Sequence, residues 1–119
     1  MRFSSSHAWA KLDGEIATIG ISNYGKIHLG EIVNIELPEV EKVVKKDQDV
    51  CVLESNKAAV DFHSPLSGKI IEINVKLIDH LNIINTSAED DGWIYKLKVS
   101  EKKEYDNLMT FEDYERSLK

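Results

Sequence analysis

The sequence predicts a mainly β fold, a small antiparallel sandwich with short peripheral and C-terminal helices. One observation is an internal repeat. The alternating run Gly30-Glu31-Ile32-Val33-Asn34-Ile35-Glu36-Leu37 returns thirty-eight residues later as Gly68-Lys69-Ile70-Ile71-Glu72-Ile73-Asn74-Val75. Two similar sheet-forming halves can each supply one wall of a core. Between them, two strand-like runs flank the hexapeptide Glu54-Ser55-Asn56-Lys57-Ala58-Ala59, which reads as a tight reversal. Asp13-Gly14 adds a strong hairpin signal near the start, and helical patterns are confined to short capped segments.

Taken in order, residues 1–13 lead through His7-Ala8-Trp9 to the Asp13-Gly14 turn, and Glu15 to Ile21 is the β-branched return strand. Ser22 is an N-cap for a helix from Asn23 to Leu29, with Gly30 as its stop. Gly25 weakens that helix by about 1 kcal/mol relative to Ala, so packing of Tyr24, Ile27 and Leu29 is expected to hold it. In the repeated strands, alternation places Val33, Ile35 and Leu37, and then Ile71, Ile73 and Val75, on the core side. Pro38 ends the first strand, and Lys42 to Gln48 is a charged surface run around Val43-Val44. Lys76 to Asn85 is a connection of mixed character, followed by an acidic loop from Ser87 to Gly92. The last strand, Trp93 to Val99, puts Trp93, Tyr95, Leu97 and Val99 inward. Ser100 is expected to cap a helical C-terminal extension over about 101–119, and Thr110 with Asp113 resembles a capping box for Phe111 to Leu118.

The chain has 119 residues, 42% apolar and 30% charged, and is expected to form a single domain over 1–119 with a real core. A formal charge of -6 argues against nucleic acid or an anionic membrane as partner, and favours proteins with basic docking faces. No apolar run is long enough to span a membrane, and the start is too short and polar for a signal peptide. The expectation is a soluble cytoplasmic protein of a bacterium, or a mitochondrial matrix protein if a transit peptide has been removed. The single cysteine, Cys51, excludes an intramolecular disulfide.

The chemistry points to Lys57. Asn56 tolerates a turn conformation, and Ala58 and Ala59 leave the lysine stem uncrowded, so its amine stands where a modifying enzyme can reach it. Other candidates read more plainly. Cys51 lies in an apolar run and is expected to be a buried core thiol. His7, His28, His63 and His80 show no ligand spacing, Glu89-Asp90-Asp91 no calcium loop, and Trp9 and Trp93 read as core anchors. No nucleophile elbow or phosphate-binding glycine loop is present, so nothing suggests a self-contained enzyme.

With these residues in view, nearly the whole chain resembles the H protein family of the glycine cleavage system, whose members are lipoyl carriers. Glu54-Ser55-Asn56-Lys57-Ala58 resembles the family's lysine motif. Ser64-Pro65-Leu66-Ser67-Gly68 resembles its Pro-x-Ser-Gly turn, with Gly68 eleven residues after the lysine. Leu37-Pro38-Glu39-Val40, Leu29-Gly30, His7-x-Trp9, Gly92-Trp93 and Met109 to Glu115 are similar to further landmarks. The chain departs from the pattern at Ala8, where an acidic residue is usual, at Glu41, where Gly is usual, and at Asn56, where Val is usual. It also lacks the Pro-Tyr usually found before Gly92-Trp93.

The resemblance implies a barrel-sandwich hybrid of the lipoyl/biotinyl-carrier type, with lipoate attached covalently to Lys57. Glu54, Ser55, Ala58 and Gly68 support the motif, and Glu54 helps the attaching enzyme recognise the lysine. It implies a non-catalytic carrier shuttling an aminomethyl group from glycine decarboxylase to a tetrahydrofolate-dependent aminomethyltransferase. Dihydrolipoamide dehydrogenase would reoxidise the carrier, a lipoate ligase or lipoyl transferase would load it, and the chain would act as a monomer. Two alternatives stay open: a lipoyl donor or relay for 2-oxo acid dehydrogenases, and an unmodified scaffold.

Overall fold

A computed structural model describes residues 1–119. In chain order the elements are β1 (Arg2–Phe3), β2 (Ala8–Asp13), β3 (Ile16–Ile21), α1 (Asn23–Leu29), β4 (Ile32–Glu36), β5 (Val43–Val44) and β6 (Asp49–Ser55). They continue as β7 (Ala59–His63), β8 (Gly68–Ile73), α2 (Lys76–Asp79), α3 (Ile83–Thr86), β9 (Tyr95–Val99), α4 (Lys102–Asp106) and α5 (Phe111–Ser117). A six-stranded sheet in the order β1-β2-β3-β9-β8-β5 faces a three-stranded sheet in the order β4-β6-β7. The fold is mainly β, a barrel-sandwich with short helices around it. The main core includes Ile19, Leu53, Leu66, Ile70, Ile84, Tyr95 and Leu97, all completely buried. No helix is long and apolar enough to cross a membrane.

Hairpin β2–β3 closes one residue later than Asp13-Gly14 suggests. Asp13 still pairs with Ile16, so the loop is Gly14-Glu15, and Gly14 alone of that pair takes a positive φ, 64°. That is the demand of a turn with glycine at its first central position.

The repeat extends to the backbone, and it corrects the expected inward residues. β4 bulges against β6 between Ile32 and Asn34, and β8 bulges against β9 between Ile70 and Glu72. The extra residues are Val33 and Ile71, thirty-eight positions apart. A bulge inserts one residue and inverts the phase of alternation beyond it. Val33 and Ile71 are therefore exposed, while Ile32 and Ile70 take the inward places. Ile35, Leu37 and Ile73 pack against the core as expected. Val75 lies past the end of β8 and is exposed. The buried residue there is Asn74, whose Nδ2 donates to the carbonyls of Asp91 and Trp93 at 3.0 and 2.8 Å.

Two further corrections come from close packing. Ile27 is exposed, so it does not hold α1. Gly25 is needed because a Cβ there would lie 2.8 Å from the His7 Cβ, and the helix runs hard against the start of β2. Trp93 precedes β9 and is half-buried beneath the Lys96 ammonium, which lies 5.0 Å from its ring centroid; Ile94 fills the inward place. Trp9 is buried outside the main core, in a small cluster with Phe3 and Tyr114, and its Nε1 donates to the Ala88 carbonyl at 2.8 Å.

The C-terminal segment packs back on the first strand. Phe3 and Met109 exchange backbone hydrogen bonds at 2.8 and 2.9 Å, and Tyr114 stacks on Phe3 with centroids 4.6 Å apart. Ser100 does not cap α4; Glu101 holds that position and makes no side-chain cap bond. Thr110 does cap α5, accepting from the Asp113 N–H at 3.2 Å. The Asp113 carboxylate pairs with Arg116, so only half of a capping box forms. Glu104 of α4 accepts from the Ser67 N–H and hydroxyl at 2.8 and 2.9 Å, fastening the helix to the turn before β8.

Gly68 opens β8 where a Cβ would stand 2.1 Å from the Lys98 carbonyl oxygen. Gly68→Ala is expected to force β8 off β9 and lower unfolding free energy by about 3 kcal/mol, read from a denaturant midpoint. Glu41 sits at φ 78°, in the left-handed region that favours glycine. Glu41→Gly is expected to be more stable than Glu41→Ala by about 1 kcal/mol, the comparison cancelling the exposed Glu41–Lys69 ion pair. Equal midpoints would remove backbone strain from the account.

Candidate functional site: the Lys57 hairpin

Strands β6 and β7 pair Cys51 with Phe62, Val52 with Asp61, Leu53 with Val60 and Glu54 with Ala59. The final backbone bond is Ser55 N–H to the Ala58 carbonyl, 2.8 Å, which leaves Asn56 and Lys57 at the apex. Amides at such an apex have no ladder partner. Ser55 Oγ accepts from the N–H groups of Lys57 and Ala58 at 3.0 and 3.1 Å, folding the turn around one hydroxyl. Asn56 is not the source of the turn: neither it nor Lys57 or Ala58 takes a positive φ. The Asn56 N–H instead donates to the Glu31 carbonyl at 3.1 Å, and Ser55 pairs with Ile32, so the apex is also tied to the start of β4.

Lys57 is exposed and takes part in none of the ion pairs. Its stem lies over Gly30, where a Cβ would stand 3.5 Å from the Lys57 Cδ and Cε and 2.8 Å from Asn56 Oδ1. With φ at 97° as well, Gly30 ends α1, and its missing Cβ leaves room for the Asn56 side chain. Ala58 and Ala59 are exposed. Glu54 is exposed on the outer face and accepts from Asn34 Nδ2 at 2.9 Å. Gly68 lies in the other sheet and acts on β9, not on the hairpin apex.

Beside the hairpin is a cleft of about 310 Å³, lined among others by His7, Ile21, His28, Leu29, Val60 and Asp61. Leu29 adjoins Gly30 under the lysine stem, and Val60 belongs to the strand leading away from the apex, so cleft and stem are neighbours. Ile21, Leu29 and Val60 are the cleft's apolar lining, and Asp61 is its one carboxylate. His7 and His28 meet here although they are far apart in sequence. Burial lowers the His7 pKa from the ordinary 6.5, and His28 lowers it further.

Glu89 is more than a solvated loop residue: its carboxylate accepts from the Asn23 N–H at the start of α1, at 2.7 Å. Cys51 is buried, and burial first, then Glu36 and Asp61, pushes its thiol up to about 12. It stays a protonated core group. Burial also raises the Tyr114 phenol, whose hydroxyl lies 2.7 Å from both His7 Nδ1 and Ser22 Oγ. Sequence reasoning counted Ser55 only as motif support and did not foresee that its hydroxyl takes the Lys57 and Ala58 amides. It missed the His7–Tyr114 contact because nothing local joins residues that distant.

The model of the glycine cleavage H-protein family matches residues 1–119. A probable glycine cleavage system H protein from Aeropyrum pernix is 40% identical over 119 residues, covering 100% of this chain and 83% of that protein. The mitochondrial glycine cleavage system H protein 3 of Arabidopsis thaliana is 41% identical over 114 residues, covering 96% of this chain and 69% of that protein. The crystal structure of a glycine cleavage system H protein from Mycobacterium marinum superposes with a TM-score of 0.85 at 27% identity, covering 98% of this chain and 94% of that one. With a matching family model over its whole length and the same two-sheet architecture, the chain belongs to the glycine cleavage H-protein family.

Proposed function

We propose that this chain is the lipoyl carrier of a glycine cleavage system, with lipoate held as an amide on Lys57. The observation that carries the reading is the exposed, unpaired Lys57 on an apex held by the Ser55 hydroxyl, its stem lying over Gly30. Glu54 and Ser55 before the lysine, and Ala58 after it, form the surface that a lipoate ligase or lipoyl transferase reads. Gly68 supports the motif from a distance, by seating β8 on β9. Acylation removes one ammonium, taking the formal charge from -6 to -7. The bound group supplies the reactive atoms: a five-membered cyclic disulfide cannot reach the preferred dihedral of about 90° and opens readily to a nucleophile.

The protein's own residues do not carry out the reaction. They present the lysine to glycine decarboxylase, to the aminomethyltransferase and to dihydrolipoamide dehydrogenase in turn, and shelter the arm between visits. Ile21, Leu29 and Val60 give the cleft apolar walls that exclude water from such an arm. The carrier acts as a monomeric single domain, in the bacterial cytoplasm or the mitochondrial matrix.

One observation favours a second reading, a lipoyl relay to 2-oxo acid dehydrogenases. Ala8 pairs with the cleft residue Ile21 where the family usually has an acidic residue, so Asp61 alone offers a countercharge to an amine-bearing arm.

Protein isolated from its host is expected to gain the mass of one lipoyl group, absent in Lys57→Arg, whose melting temperature stays unchanged. An unshifted mass with lipoate in supply would leave the unmodified scaffold. Lipoylated protein with a proven glycine decarboxylase is expected to exchange labelled bicarbonate into glycine. No exchange from fully lipoylated protein would reject the glycine cycle in favour of the relay.

A further inference from the structure

A short hydrogen-bond chain behind the cleft has only one consistent polarity. Ser22 is completely buried. Its Oγ accepts the Gly25 N–H at 3.0 Å, as the cap of α1, and its one other polar neighbour is Tyr114 Oη at 2.7 Å. A buried hydroxyl must place its own hydrogen on an acceptor. Ser22 therefore donates to Tyr114. Tyr114 has one hydrogen to give, and its other neighbour is His7 Nδ1, also at 2.7 Å. Nδ1 must then be an acceptor, and the ring hydrogen of neutral His7 sits on Nε2.

We propose that Ser22 and Tyr114 lock His7 as the neutral Nε2–H tautomer, so that the cleft wall carries a fixed hydrogen-bond donor for an acceptor atom of the lipoyl arm. This deepens the carrier reading and rests on it. Nε2 has no partner within the protein, and His7 lines the cleft. Protonating His7 would put a hydrogen on Nδ1, turn the Tyr114 hydroxyl toward Ser22, and strand the Ser22 hydrogen in a buried site. His7 is thereby a donor that does not take a proton from its guest. Ser22 and Tyr114 are positioning residues acting through it.

The groups around His7 come from three elements. His28 and Tyr24 face it from α1, with Tyr24 5.1 Å away between centroids. Tyr114 faces it from α5. Asp61 lines the same cleft from β7. Glu89 acts on Tyr114 and is engaged by the Asn23 N–H. Burial and the His28 charge oppose protonation, in the same direction as the lock. In the window between 6.5 and the lowered folded value, the unfolded chain binds more protons than the folded one. Stability contributed by neutral His7 is thus complete above 6.5 and falls as pH drops through that window.

Long-range proton–nitrogen NMR on the full-length protein reads tautomer and titration of His7 directly. Unlipoylated wild type is expected to show Nε2–H and a midpoint below 6.5. Tyr114→Phe keeps the ring stacked on Phe3 but removes the hydroxyl that donates to Nδ1, and is expected to raise the His7 midpoint. Ser22→Thr keeps a hydroxyl at the cap and is expected to leave the midpoint unmoved. Thermal melts from neutral to mildly acidic pH are expected to fall less steeply in Tyr114→Phe than in wild type. An Nδ1–H tautomer in wild type, or a midpoint unmoved in folded Tyr114→Phe, overturns the lock. Lipoylation is expected to shift the His7 ring signals. A locked His7 that ignores the lipoyl group overturns its role at the arm, while the carrier reading stands or falls separately on the mass of Lys57.

Discussion

The hydrogen bonds that Ser55 Oγ accepts from the Lys57 and Ala58 amides are the constraint on which the site depends. The lysine stands at an apex, and an apex has no neighbouring strand to satisfy its N–H groups. Water would satisfy them equally well but would leave the turn free to move. A hydroxyl from the preceding strand satisfies them and fixes the loop against its own ladder. The remaining apex amide, that of Asn56, goes to the Glu31 carbonyl, so the hairpin is held on both sides. The lysine starts from a defined position, and freedom begins only along its stem.

The hairpin joins the body of the protein beside the first of the two repeated bulges. β4 kinks at Val33 and β8 at Ile71, one in each sheet. Bulges increase local twist, and a sandwich of two short sheets needs that twist for its faces to stay in contact over their length. The repeat is thus a repeat of backbone kinks as much as of apolar residues. Ile32, just before the first kink, pairs with Ser55, which joins the kinked strand to the functional turn.

This explains which features were legible in the sequence. Two similar alternating runs, a small-residue reversal and the caps Ser22, Gly30 and Thr110 are local patterns, and the structure keeps them. The inward assignments of Val33 and Ile71 failed because a bulge leaves no mark on alternation: Ile-Val-Asn-Ile and Ile-Ile-Glu-Ile fit either phase until the pairing strand is known. Trp93 and Ile94 are a similar ambiguity at a strand end. Ser100 looked like a cap by type, but α4 is oriented by Glu104 gripping Ser67, a contact between residues thirty-seven apart. The exposure of Lys57 in a turn was legible because both signs are local, strand-like runs on each side and small or polar residues between them. The cleft was not, because its walls come from β7, α1 and the segment before β2, which only the fold brings together.

The short helices then have a purpose that the sandwich alone does not supply. Two sheets and a hairpin suffice to display a lysine, and a bare display leaves any arm on it open to water. One wall of the cleft is α1, a helix of seven residues, too short to be stable by itself. It is gripped where an isolated helix frays: Glu89 takes the Asn23 N–H, Ser22 takes that of Gly25, and the Tyr114 hydroxyl lies 2.7 Å from Ser22 Oγ. Beyond its other end, Asn85 clasps both the N–H and the carbonyl of Ile32, at 2.8 and 3.0 Å. These grips come from the loop before β9, from α5 and from α3, the parts of the chain that lie outside the two repeated halves. Hairpin and cleft are therefore held by separate portions of the sequence, and the C-terminal helix, far from the lysine in sequence, braces the cleft through Tyr114.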